Sequence, residues 1–288
     1  MTHDNRNMDR RAFLANGLAA AAGLAAAASL QPETSPAESD AAKTIPNYHP
    51  DMKYHGMGKT DVFLSVLSLG GSGVKEPVFR YALDRGVNCI HACLNYSEGS
   101  DIRAVGKLIK GRREKLYIAL KDEFDHIDDA LKALDSDYVD FLMFNRHGKP
   151  VATDPKIFDM FEKYKAQGKV RYAGLTSHGD VKNATGGGIE SGMYSLVMPV
   201  LNAPNLAAME PELRMARKRG VGVMAMKYHW GMHDKASEII QFKKTLAHPS
   251  VTTCLRGISS FEDIGPYLQA AKEILTRGKD PETGRFAQ

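Results

Sequence analysis

Cysteine, tryptophan and net charge are all scarce in this chain. Three cysteines stand at 89, 93 and 254 of 288 residues. That is too few for a disulfide framework, and a chain of this length buries enough core to need none. Cys89 and Cys93 would lie about 13 Å apart along one strand, beyond the reach of a disulfide. All three read as buried thiols, and no cysteine cluster is present for an iron–sulfur site. The formal net charge is +4, from 38 basic and 34 acidic residues, which excludes the strongly basic profile of a nucleic-acid protein. No P-loop occurs. The glycines after the first apolar run, Leu69-Gly70-Gly71-Ser72-Gly73, do not have the G-x-G-x-x-G spacing of a dinucleotide fingerprint.

Long apolar runs are scarce too, with one exception. Residues 12–30 carry no charge, follow Arg10-Arg11, and end in small residues such as Ala26-Ala27-Ala28. A basic start, an apolar stretch and a small-residue end make a signal peptide. The run is too short and alanine-rich for a permanent span, which needs about 20 well-apolar residues. Arg10-Arg11 before Ala12-Phe13-Leu14 resembles a twin-arginine export signal. This predicts a signal at 1–30, a partner in the twin-arginine export machinery, and a periplasmic or extracellular bacterial location. Residues 31–50, rich in Pro, Ser, Glu and Ala, read as a flexible tether. The folded body is expected over 51–288, with a polar fraying tail at 277–288.

Within the body, eight short apolar runs recur at 62–69, 87–93, 116–120, 139–144, 170–175, 196–201, 221–226 and 251–255. Runs of this length and β-branched content suit buried parallel strands. Amphipathic segments lie between and after them, at 76–85, 100–109, 127–134, 156–167, 181–191, 206–219, 235–246 and 261–276. Gly86, Gly168 and Gly220 stand where helices should turn into strands, as C′ caps. The alternation predicts an α/β fold, a compact (β/α)8 TIM barrel with short loops. Function then belongs at the carboxyl ends of the strands. Four of the ten histidines, His91, His147, His178 and His229, fall there.

Several segments in order carry a family likeness. They include Met52-Lys53-Tyr54-His55-Gly56-Met57-Gly58-Lys59-Thr60, Ala82-Leu83-Asp84-Arg85-Gly86-Val87-Asn88, Asp137-Tyr138-Val139-Asp140, Gly168-Lys169-Val170-Arg171-Tyr172-Ala173-Gly174-Leu175, and His248-Pro249-Ser250-Val251. Over roughly 52–276 the chain resembles the aldo-keto reductases. The resemblance implies NADPH-linked reduction of a small-molecule carbonyl by an Asp, Tyr, Lys and His set. Tyr96 and Lys121 match the tyrosine and lysine, but His91 stands at the aspartate and Asn145 at the histidine. Tyr96 is then the proton donor, its pKa lowered by Lys121, with Asn145 as a weaker carbonyl polariser. A slow or altered reductase is expected.

The resemblance also assigns cofactor contacts. Thr176 and Ser177 would face the nicotinamide amide. Asn202, Lys227, Arg256, Ser259 and Ser260 would serve the rest of the cofactor, with Arg256 able to pair with a phosphate. Ser259 reads as the N-cap of the last helix, with Glu262 three residues on. The family's glutamine and stacking tyrosine fall on Met198 and Leu201. Two other readings stand beside this one. The barrel is non-catalytic and binds a small molecule or partner at its mouth, or it is a metal-dependent enzyme using the histidine rim, with Cys93 and His233 as additions.

Overall fold

The structure, a computed structural model, describes residues 44–122 and 125–275. The expected signal at 1–30, most of the tether and the tail at 277–288 lie outside the described residues.

Eight parallel strands close into a barrel. They are β3 (Leu67–Gly70), β4 (Cys89–Cys93), β5 (Tyr117–Asp122), β6 (Val139–Asn145), β7 (Val170–Ser177), β8 (Leu196–Pro199), β9 (Gly222–Met226) and β10 (Thr253–Gly257). Each pairs with the next, and β10 returns to β3. Both faces of these strands are covered, which is why they appear in the sequence as nearly unbroken apolar runs. Helices occupy the connections: α1 (Glu76–Leu83), α2 (Ser100–Ile109), α3 (Ile127–Leu134), α4 (Lys149–Ala152), α5 (Pro155–Ala166), α6 (Val181–Ser191), α7 (Ala203–Ala208), α8 (Glu210–Arg219), α9 (Lys235–Ala247) and α10 (Phe261–Ala271). Gly86, Gly168 and Gly220 all have positive φ, as their capping role requires. The three cysteines are buried, and no disulfide joins them.

Three local differences have physical causes. The first apolar run is two strands, not one. Its front half, β2 (Phe63–Ser65), pairs antiparallel with β1 (Tyr54–Gly56). This hairpin plugs the amino end of the barrel, where Met57, Val62 and Leu64 share a buried cluster with Phe141, Leu196 and Met224. Its tight turn needs Gly58, since a Cβ there would lie 2.1 Å from the Gly220 carbonyl oxygen. The segment expected as one helix at 206–219 divides at Met209, because Pro211 in the first turn of α8 cannot continue the hydrogen-bonding of α7. The end of the expected tether is packed: Ile45 is buried, and Asn47 donates from Nδ2 to the carbonyls of Leu83 (2.7 Å) and Val87 (2.8 Å).

Candidate active site

The carboxyl ends of the strands surround a cavity of about 160 Å³. His91 reaches it from β4 and Lys121 from β5, and Tyr96 enters from the 3-10 turn Tyr96–Gly99 that follows β4. His178, Lys227 and His229 complete its polar wall, and Met198, Met226 and Leu255 supply apolar surface. A larger open groove of about 470 Å³, where Asp51, Asp84, Arg85 and Lys272 meet, holds none of the expected site residues.

Backbone packing sets the floor. Gly71 follows β3, and a Cβ on it would stand 2.0 Å from the His91 carbonyl oxygen. Only glycine allows β3 and β4 this approach. The tyrosine turn is clamped by Asp101, in the first turn of α2. Asp101 accepts the backbone N–H of Gly73 and of Val74, each at 2.9 Å, and the Ser97 hydroxyl at 2.7 Å. Ser97 and Glu98, next to Tyr96, hold left-handed backbone, strain that the clamp helps to hold. Asp101 carried no recognisable signal in the sequence, since a carboxylate in a first helical turn is ordinary.

The electrostatics depart from the expected set. Burial, with Lys121 and His178 adding to it, pushes His91 down to about 3. His91 is therefore a neutral imidazole, and its buried Nε2 has no hydrogen-bond partner. No hydrogen bond from Lys121 reaches that nitrogen. Tyr96 moves up, to about 12, through burial and the proximity of Cys93. Burial thus outweighs the lowering expected from Lys121. Lys227 is lowered by burial and then by Lys121. Its backbone is left-handed, with φ 54, and its Nζ lies 4.1 Å from the ring centre of Trp230.

Other expected residues lie apart from the cavity wall. Asn145, the expected carbonyl polariser, is not among the residues lining this cavity, and its Oδ1 is buried without a partner. Thr176, its register partner on β7, donates from Oγ1 to the Met198 carbonyl at 3.3 Å. The Ser177 hydroxyl donates to the Gly179 carbonyl at 2.7 Å. Asn202 caps α7, its side chain accepting from the N–H of Asn205.

The expected phosphate corner is occupied by the protein's own charges. Arg256 donates to the Tyr267 hydroxyl at 3.1 Å and to Glu238 at 3.3 Å, and it faces Asp263 at 3.8 Å. Lys235 bridges the same two carboxylates. In this arrangement the guanidinium of Arg256 is engaged by the protein's own groups. The N-cap of α10 is Ser260, not Ser259, and it accepts from the N–H of Asp263 at 3.1 Å. Ser259 is exposed.

Three of the four rim histidines, His91, His178 and His229, line the cavity. Among the described residues no group of three or more His, Cys, Asp or Glu side chains is placed to hold a metal ion. His147 uses Nδ1 to accept the N–H groups of His178 (3.3 Å) and Gly179 (3.0 Å). His233 is exposed.

The family model of the aldo/keto reductase family matches residues 75–232. Among solved structures, the chain is similar to an aldo-keto reductase from Bacillus halodurans in its holo form. Identity is 20%, with 78% of this chain and 92% of that one covered and a TM-score of 0.66. It is also similar to an aldo/keto reductase from Klebsiella pneumoniae in complex with NADP and acetate, at 18% identity, 78% and 91% coverage and a TM-score of 0.61. A Klebsiella pneumoniae aldo-keto reductase in complex with NADPH gives 20% identity, 78% and 92% coverage and a TM-score of 0.60.

Proposed function

The chain belongs to the aldo/keto reductase family, and on that premise we propose that it reduces a small carbonyl compound with NADPH, using Tyr96 as the proton donor. The observation that carries this reading is that Tyr96 and Lys121 share one cavity at the carboxyl ends of the strands. When bound, NADPH supplies a hydride to the carbonyl carbon. Tyr96, held as a neutral phenol by its raised pKa, gives its proton to the carbonyl oxygen, and solvent restores it. The balance is one carbonyl, one NADPH and one proton to one alcohol and one NADP+. Lys121 stabilises the phenolate while it lacks that proton.

The residues present suit the reacting end of this cofactor. The unpartnered Oδ1 of Asn145 is a buried acceptor beside Thr176 in register. An unpaired buried acceptor is costly; it lies off the cavity wall, so the N–H of a carboxamide would satisfy it only once the side chain turns toward the cavity. Ser177 offers a further hydroxyl oxygen as acceptor.

The reaction should be slower than the full four-residue set would give. No carboxylate among the described residues pairs with Lys121, and burial raises Tyr96 to about 12. Steady-state NADPH oxidation by Tyr96→Phe and Lys121→Ala tests the reading. Loss of one positioned acid is expected to lower turnover by about 10²-fold or more. Undiminished turnover in both variants would end it.

The first 30 residues support a second element of the proposal. The protein is exported by the twin-arginine route to the periplasm or beyond. That route carries folded proteins, so a cofactor can be loaded before export.

A further inference from the structure

We infer that the mouth cavity selects carbonyl substrates that carry a carboxylate, with Lys227 as the residue that receives it. This rests on the reductase reading of the same cavity and names its substrate class.

Charge is the first observation. The cavity wall holds two lysines, 121 and 227, and three histidines, with no carboxylate among its described lining residues. Neither lysine is ion-paired among the described residues, although most other buried or half-buried cations in the fold are. Arg113 and Arg171 share Asp140, and Arg256 and Lys235 share Glu238. Two cations facing one small cavity repel each other, and the repulsion is felt strongly where water is thin. The lowered pKa of Lys227, through burial and Lys121, is the expected consequence. An anion placed between them relieves both costs.

Geometry is the second observation. Lys227 follows β9 directly, and its left-handed φ of 54 is unusual for a lysine. Strained backbone of this kind collects at functional sites, where it fixes a side chain. The Trp230 ring at 4.1 Å braces the ammonium. The third is the buried, unpartnered Nε2 of His91, which belongs to the same wall. His91 thus adds a neutral polar side chain to that wall.

Size bounds the ligand. About 160 Å³ lies below the roughly 300–1,000 Å³ of drug-sized sites. A short oxo acid fits this bound, with its carbonyl toward Tyr96 and Lys121 and its carboxylate toward Lys227.

Trp230 is the only tryptophan in the chain, so its emission reports on Lys227 directly. The full-length protein is titrated with 4-oxobutanoate, with its methyl ester and with inorganic phosphate. NADPH oxidation is then measured with the acid and the ester. The acid is expected to shift Trp230 emission saturably, more weakly at high salt, and to bind on the order of tenfold more tightly than the ester. Lys227→Met should remove that preference in both binding and kcat/KM, and Lys227→Arg should restore it. Equal binding and equal turnover of acid and ester overturn the inference and leave the reductase reading standing. Saturable binding of the acid with no NADPH oxidation supports the inference and overturns the reductase reading. Phosphate binding more tightly than the acid overturns the carboxylate assignment.

Discussion

At His91, burial governs protonation. The imidazole sits at about 3 in the fold against 6.5 when free. As pH falls below 6.5 the unfolded chain takes up a proton before the folded one does. Stability is therefore lost progressively from pH 6.5 down toward 3. His178 and His229 are shifted the same way, so they add to the same slope. His91→Asn should flatten the acid limb of the thermal midpoint by the share that His91 holds. Thermal unfolding of both proteins across that pH window measures it, and identical acid limbs would contradict it. The residues that reach the cavity, His91, Tyr96 and Lys121, were identifiable from strand-end position and family likeness. That Asn145 falls outside the lining was not legible, because strand position does not say which way a side chain turns off the last residue. The engagement of Arg256 was not legible because its partners, Glu238 and Tyr267, lie 18 and 11 positions away and meet it only in three dimensions.

Among the elements, the turn bearing Tyr96 depends on the start of α2. Asp101 ties that turn to the loop after β3 through three hydrogen bonds. Asp101→Ala leaves two buried-side N–H donors and a hydroxyl without their acceptor. It is expected to cost about 1–3 kcal/mol of stability and to lower kcat more than it raises KM, because Tyr96 loses its placement. Denaturant unfolding with steady-state kinetics checks both, and an unchanged kcat would show that the clamp is structural only. Helices α2, α3 and α6 follow the amphipathic pattern to the residue. The β1–β2 hairpin was hidden because its second strand runs into β3 with only Val66 between them, so one apolar run covers two strands. The α7–α8 break was hidden because Pro211 also suits the first turn of a new helix.

On the scale of the whole molecule, the barrel was readable because parallel strands buried on both faces repeat as apolar runs between amphipathic helices. The closure that brings β10 to β3 follows from that count. Export belongs to this scale as well. Replacing both Arg10 and Arg11 by lysine should retain the protein in the cytoplasm, as detected by fractionation, while the purified protein keeps its activity. Unchanged export of that variant would contradict the twin-arginine route. The central claim, hydride transfer from NADPH with Tyr96 supplying the proton, is tested most directly with NADPH deuterated at the transferring carbon of its nicotinamide. Mass spectrometry of the product alcohol should find one deuterium on the carbinol carbon with the unaltered protein, and little or no product with Tyr96→Phe. An alcohol without the label, or equal labelled product from Tyr96→Phe, would contradict it.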